Sequence, residues 1–344
     1  MTAPAPPPRA APGDPTDRDP ARPLVTMMLI GYRQQATIGA AIAGALAQTY
    51  TPLEIVISDD ASPDATFAAM QAAVAGYRGP HRLILNRNPH NLGIGAHLSR
   101  IVELSGGELL IVAAGDDVSL PQRCERVVEA WLAAGRGPDL ISSTLIDLDQ
   151  DGRSHGVITP TDLSGYRNAA DWIAHPPHVI GAAQAWTRRV FERFGPLPPG
   201  TVAEDLLMVF RAIVGGGAIT LAEPLVQYRR GGISRRRRNL RAGDVVERLL
   251  KNNRHALVEL PQLLADAQAA GQLAAIEPEI GRQLARERFV HALFEARDLG
   301  ARWRACAAAT RVPLGVRVRL FVYAACPALL APLFALKRRA ARSP

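Results

Sequence analysis

Cysteine is almost absent from this chain: Cys124, Cys306 and Cys326 are the only three in 344 residues, far apart and without a C-x-x-C pair. That excludes a disulfide framework and a structural zinc site, and it fits a reducing, cytoplasmic compartment. Lysine is scarcer still. Only Lys251 and Lys337 occur, so the first two thirds offers no P-loop or Schiff-base lysine. Aromatic residues make up 5% of the chain, and none interleaves with the arginine run SRRRRNLR at 234–241. The stacking platform of a single-strand binder is therefore missing, and no nucleic-acid partner is expected. The apolar segment LFVYAACPALLAPLFAL at 320–336 has 17 residues and contains Pro327 and Pro332. It falls short of the ~20 that a spanning helix needs.

What is present is ordinary globular composition, 48% hydrophobic and 21% charged. The length suits one large domain with an appendage. The first 23 residues carry eight prolines and hardly any large apolar side chain. They read as a disordered tail (1–22), and without an apolar h-region they are not a signal peptide. Charge is uneven: from Arg229 onward there are 23 basic against 9 acidic residues, whereas 1–228 hold 17 against 23. An acidic front suggests chemistry that uses carboxylates, and a basic back suggests an anionic partner.

From Pro23 onward, apolar runs alternate with helical patterns. LVTMMLIG (24–31), LEIVIS (53–58), HRLILN (81–86) and ELLIVAA (108–114) read as strands; 35–48, 65–77, 95–104 and 121–134 read as helices. Near-continuous apolar strands separated by helices predict a doubly wound, mostly parallel α/β sheet covered on both faces. In such a sheet ligands sit beyond the carboxyl ends of the strands. DLISSTLIDL (139–148) reads as another strand, 150–200 is less regular, 204–214 is a short helix and 222–230 a further strand. From about Asp244 the pattern is helical. The predicted organisation is an α/β domain over 23–240 and a helical extension over 241–344.

Three acidic clusters fall at expected strand ends: SDDASPDAT (58–66), Gly115-Asp116-Asp117, and Glu204-Asp205. Carboxylates gathered at such an edge can hold a hard divalent cation that neutralises a diphosphate. Each cluster also has a purely structural explanation. Ser62 or Asp64 can cap the following helix, Gly115-Asp116-Asp117 before Pro121 is good turn chemistry, and Glu204-Asp205 complements a helix dipole. Adjacent aspartates, however, repel and desolvate badly without a counter-charge.

Order and spacing make the set more specific. LVTMMLIGYRQQATIGAAIAGALAQTYTPLEIVISDDASPDAT, then NLGIGAHLSRIVELSGGELLIVAAGDDVSLP, VAEDLLMVFRA and AEPLVQYRRGGIS occur in that order over about residues 23–235. They resemble family 2 glycosyltransferases of the GT-A fold. The resemblance implies an inverting glycosyltransferase using a nucleotide-diphosphate sugar and a glycan or lipid-linked acceptor. It also implies site residues: Tyr32 stacking on the base, Asp59 and Asp60 at the nucleotide with Asp60 accepting from the base, Asp116 and Asp117 at the ribose or diphosphate through Mg²⁺ or Mn²⁺, Asp205 as general base and Glu204 orienting it.

Three positions depart from that pattern. Arg33 follows Tyr32 where relatives commonly have asparagine, Ala114 stands where many have a further aspartate, and Gly231 stands where many have histidine. The last two reduce the available metal ligands. Arg230 and Arg235 are candidates for a loop over the diphosphate, their alternative being a solvated basic loop. Residues 317–340, an apolar stretch with basic flanks, suggest an in-plane contact with an anionic inner membrane face or a helix packed on the domain. Trp172, His178 and Trp186 belong to the acceptor side or to the core. A dehydrogenase reading of GIGAHL (93–98) lacks the third glycine. A sugar-phosphate nucleotidyltransferase lacks its glycine-rich loop. The competing class is a catalytically silent nucleotide-sugar binding or scaffold subunit.

Overall fold

The computed structural model describes residues 22–230 and 242–326. The expected tail (all but Arg22), Arg235 with the arginine run, the expected domain boundary at 240 and the 327–340 part of the suggested membrane segment lie outside the described residues.

Four parallel strands form one half of the sheet: β1 (Val25–Gly31), β2 (Leu53–Asp59), β3 (Arg82–Arg87) and β4 (Leu109–Ala114). Their order is β3-β2-β1-β4, with Val25 level with both Leu53 and Leu109. Side chains alternate between two buried faces. Met27, Leu29, Ile55, Ile57 and Ile111 pack against α1 (Ile38–Leu46) and α4 (Arg123–Ala133). Met28, Val56, Leu110 and Val112 point to the opposite layer, with Leu98 and Ile101 of α3 (Ile94–Leu104). Both faces are covered, so positions on either side of β1, β2 and β4 can be apolar, and these strands read as near-continuous apolar runs in which buried Thr26 and Glu54 bond to each other. The helix α2 (Thr66–Val74) follows β2.

The other half of the sheet departs from a purely parallel plan. Beyond β4 the order continues β8-β6-β9-β5, with β7 on the edge of β6. Here β5 is Val118–Ser119, β6 Leu140–Leu148, β7 Ser154–Ile158, β8 Ala185–Thr187 and β9 Ala218–Arg229. Short β8 runs antiparallel between β4 and β6, while β6 and β9 are parallel to each other. Region 150–200, irregular in sequence, supplies β7, α5 (Ala169–Ala174), β8 and α6 (Arg188–Phe194). Strand β9 starts at Ala218 rather than near 222. Its register on β6 slips at Pro224, which has no N–H to donate to the ladder.

The helix α7 (Glu204–Val214) lies between the sheet and the extension, and Leu207–Val214 are all buried. Trp172 sits edge-on to Phe210, with ring centroids 5.1 Å apart, and Trp186 is fully buried. Both tryptophans are core, and His178 is exposed. The extension comprises α8 (Ala242–Ala269), α9 (Leu273–Glu295), α10 (Leu299–Ala308) and α11 (Leu314–Ala325). Arg211 of α7 and Asp266 of α8 form an ion pair at 2.7 Å with both side chains buried. Removing one partner of such a pair costs about 3–5 kcal/mol, because the other charge stays buried. The extension is thus keyed to α7.

Candidate active site

The carboxyl ends of β2, β1 and β4 lie side by side, which brings three sequence clusters to one edge. Tyr32 follows β1 and is 40% exposed, an apolar ring open to solvent. Arg33 adopts φ of +56° and donates its N–H to Ser62 Oγ at 3.0 Å. Asparagine tolerates this left-handed conformation better than arginine does. The N–H of Asp60 donates to the Gly31 carbonyl, joining the two strand ends.

Asp59 and Asp60 divide their tasks. The Asp59 side chain has no exposed surface; Oδ2 accepts the Ser62 N–H at 3.0 Å and pairs with Arg87. This carboxylate builds the turn, and no part of it is open to a nucleotide. Asp60 Oδ1 accepts from Asn88 Nδ2 and the Leu92 N–H, and Oδ2 accepts the Gly93 N–H at 3.0 Å. Asp60 thereby holds the 88–93 loop against β2, and Oδ2 keeps one acceptor position. Asp64 Oδ1 accepts from the N–H and hydroxyl of Thr66 at the start of α2, one residue ahead of the N-cap, Ala65, so it supports the turn into the helix rather than capping it.

Gly115 is required where it stands. A Cβ there would lie 2.4 Å from Gln34 Oε1, 2.6 Å from Ile38 Cδ1 and 2.9 Å from the Ile30 carbonyl. The turn beyond it presents Asp116, half-buried, and Asp117, buried. Burial raises the Asp116 carboxyl above its usual range, opposed by the turn's N–H and by Arg229. Asp117 is pushed up to about 7, by burial first and then by the Asp116 charge. The counter-charges come from elsewhere in the chain. Asp117 Oδ1 accepts the Arg229 N–H at 2.8 Å. Arg123, fully buried, donates to Ser119 Oγ and the Ala182 carbonyl, and its charge favours ionised Asp117.

Glu204 and Asp205 open α7, as dipole complementation predicts. Yet both carboxyls are displaced upward by burial: Glu204 to about 8, with the Asp205 charge the next cause, and Asp205 in the same direction against the N–H groups of Leu206 and Gly181. A Cβ on Gly181 would meet Glu204 Oε1 at 3.1 Å and Asp205 Cβ at 3.3 Å. Gln184 ties the pieces together. Its Nε2 donates to the Asp205 carbonyl, its Oε1 accepts from Trp186 and its carbonyl accepts the Val112 N–H of β4. From the extension, Glu259 Oε1 accepts the N–H groups of Val202 at 2.9 Å and Ala203 at 2.8 Å, capping a helix whose own N-cap, Ala203, has no side-chain acceptor.

Both acidic groups act electrostatically on Tyr228 of β9. Burial raises its phenol, and the charges of Asp117, Asp116, Asp147 and Asp205 raise it further. Arg230 is occupied: its guanidinium forks onto Asp147 of β6. Arg229, its neighbour, is the arginine whose charge acts on Asp116 and Asp117. Sequence reasoning missed Arg123, Gly181, Gln184, Tyr228, Arg229 and Glu259. The need for a counter-charge beside Asp116-Asp117 was a usable signal for Arg123, six positions after Asp117 in the chain. No local pattern marks the others.

Residues 28–192 match the family described as Glycosyl transferase family 2. The chain is 35% identical over 235 residues to the succinoglycan biosynthesis protein ExoO of Rhizobium meliloti, covering 62% of this chain and 63% of ExoO. It is 35% identical over 208 residues to an uncharacterised protein of Mycobacterium tuberculosis, 60% of this chain and 58% of that one. The chain spans about half to just under two thirds of the length of the curated relatives it matches. Among solved structures, Staphylococcus aureus TarS 1–349 in complex with UDP-GlcNAc superposes with TM-score 0.55 at 15% identity, covering 92% of this chain and 87% of that one. The mannosyltransferase PcManGT of Pyrobaculum calidifontis, in complex with GDP-Man and Mn²⁺, superposes with TM-score 0.50 at 18% identity over 90% and 87%. These structural likenesses establish a shared fold.

Proposed function

The chain carries a family 2 glycosyltransferase domain of the GT-A fold, and from that premise we propose that it moves a sugar from a nucleotide-diphosphate donor to an acceptor hydroxyl, with inversion at the anomeric carbon. The observation that carries this reading is that Asp116 and Asp117 stand at the end of β4 while Gln184, whose carbonyl accepts the Val112 N–H of that strand, donates its Nε2 to the Asp205 carbonyl at the start of α7. In this reading the carboxylates after β4 form the leaving-group end and Asp205 the base end, both within electrostatic reach of Tyr228. The donors named in the TarS and PcManGT structures support a nucleotide sugar, and the role named for ExoO supports synthesis of a surface glycan.

In this reading the exposed ring of Tyr32 stacks on the base, and Asp60 offers the free position on Oδ2 to a base N–H. Asp59 keeps the turn in place behind it. Among the described residues no group of three His, Cys, Asp or Glu side chains gathers to hold a metal. Asp116 and Asp117, with Ala114 beside them, offer carboxylate oxygens of the kind a hard cation such as Mg²⁺ or Mn²⁺ takes. Asp116 and Asp117 would hold the ion, which when bound neutralises charge on the leaving diphosphate. Arg229 adds fixed positive charge at the same place. Asp205, half-buried with its carboxyl raised, accepts the proton of the acceptor hydroxyl as the new C–O bond forms and the bond to diphosphate breaks with its electron pair. Glu204, buried and protonated near neutrality, orients Asp205 and carries no proton away. The acceptor is a glycan or lipid-linked hydroxyl, met at the cytoplasmic face.

The test is a thermal-shift screen of UDP- and GDP-sugars with and without Mn²⁺. A donor at a hundred times its Kd stabilises the native state by about 2.7 kcal/mol, so the true donor raises Tm and Mn²⁺ enlarges the rise. If no nucleotide sugar moves Tm under either condition, the reading fails. Binding without transfer to any acceptor, or to water, favours a silent scaffold.

A further inference from the structure

The outer helices α10 and α11 expose large apolar side chains that no described element covers. Leu299 and Trp303 of α10 are 63% and 69% exposed, and Leu314 and Val318 of α11 are 67% and 55% exposed. Each pair is spaced i, i+4 and so shares a helix face. The two faces join, because Trp303 meets Phe321, three residues beyond Val318, edge-on at 6.4 Å. The underside of the same helices is spoken for: Val312 and Leu320 pack with Phe289, Val290 and Leu293 of α9. An apolar patch outside a satisfied core marks a contact surface.

Charge identifies the partner. Residues 296–326 contain six arginines (Arg297, Arg302, Arg304, Arg311, Arg317 and Arg319) and one acid, Asp298, whose carboxylate caps α10. Arg304 and Arg311 are exposed, as is Arg319 next to Val318. The chain continues beyond Cys326 as PALLAPLFALKRRAARSP, again apolar and then basic. Apolar side chains flanked by arginine are the composition of a surface that lies in the plane of an anionic bilayer. Arginine stems can lie along the acyl boundary while the guanidinium groups meet lipid phosphates. Among the described residues no helix is long and apolar enough to cross a membrane.

We propose that the face formed by Leu299, Trp303, Leu314 and Val318, with Arg304, Arg311 and Arg319 around it, docks peripherally on an anionic lipid surface. This moves the contact expected from 317–340 onto two folded helices, and it does not depend on the catalytic reading. The keyed α7–α8 junction then holds the active site at a fixed height above lipid, suited to an acceptor carried by the membrane.

The protein has its own probe. Of four tryptophans, Trp131, Trp172 and Trp186 are buried, so only Trp303 is open to an aqueous quencher. Full-length protein is mixed with phosphatidylcholine vesicles with or without about 30% phosphatidylglycerol. We expect co-flotation, a blue-shifted emission and loss of acrylamide quenching with the anionic vesicles alone, reversed by about 0.5 M salt. Leu314→Ser with Val318→Ser should weaken co-flotation at least about tenfold without lowering Tm, since both side chains are exposed. Arg304→Glu with Arg311→Glu and Arg319→Glu should abolish the preference for anionic lipid. Equal binding to neutral vesicles, wild-type binding by the Ser pair, or Trp303 already shielded in lipid-free monomer by the rest of the chain overturns the proposal. So does concentration-dependent shielding of Trp303 with dimer formation and no flotation.

Discussion

Asp117 Oδ1 accepts the backbone N–H of Arg229 at 2.8 Å, across 112 residues of chain. This bond fastens the turn after β4 to the end of β9 and sets the Arg229 charge beside two carboxylates that burial would otherwise destabilise. Tyr228, next to Arg229 in β9, feels the charges of Asp117, Asp116 and Asp205. The site is closed by strand pairing, and its two ends can be perturbed separately.

Asp205→Ala removes the proton acceptor and leaves the donor edge of β1, β2 and β4 intact. Transfer should fall by at least about a thousandfold, while the Tm rise given by the nucleotide sugar stays within experimental scatter. Full turnover by this variant would take Asp205 out of the mechanism.

Glu259→Ala uncaps α7 without touching the donor edge. Freed amides of Val202 and Ala203 then compete for the carboxylates of Glu204 and Asp205, which swing back as local caps. The expected result is about a tenfold loss of kcat, with donor KM nearly unchanged and faster amide exchange over 200–206. Glu259→Gln keeps a carbonyl acceptor and should recover most of both. A Glu259→Ala enzyme with wild-type kcat and exchange would refute this role.

Glu204 makes stability depend on pH. Its carboxyl rises from an ordinary 4.5 to about 8 on folding, through burial and the Asp205 charge. The native state therefore binds the extra proton, so this stabilising contribution is full below about 4.5 and is lost as pH rises through about 8. Urea unfolding from pH 5 to pH 8.5 should show stability declining by a few kcal/mol at most, roughly. Glu204→Gln, which needs no proton to be neutral, should flatten that decline. An identical slope in the variant would mean that other groups carry it.

Ala61 occupies φ of +56° in the turn after β2. A side chain is strained there and glycine is not, so Ala61→Gly should stabilise by about 0.5–1 kcal/mol net of the greater freedom of the unfolded chain. The same change at exposed Ala72, inside α2, should cost about 1 kcal/mol. Denaturant midpoints moving in the same direction for both would remove the backbone explanation.

β1, β2 and β4 were legible because the layers on both sides make most of their positions apolar. Glu204–Val214 was legible as a helix from its periodicity. β5 and β8, two and three residues long, are too short to show any period, and their place is set by what they pair with. Tyr32, Asp60, Asp116 and Asp205 could be singled out because each belongs to a contiguous motif at a strand or helix end. Asp59 shares a motif with Asp60 and both are buried, yet only the tertiary structure sets one on Ser62 and Arg87 and the other on the 88–93 loop.

The sequence by itself determined the alternation of strands and helices, the order of the acidic motifs and hence the resemblance to family 2 glycosyltransferases, since these depend on residue type and spacing along the chain. Tertiary structure alone decided which charges answer Asp116 and Asp117, that Arg230 is spent on Asp147, that Glu259 caps α7 from the extension, and which faces of α10 and α11 stay uncovered. Those outcomes depend on contacts between residues far apart in the chain, made when β8 enters antiparallel beside β4 and α8 locks onto α7. Local periodicity carries no record of such partners.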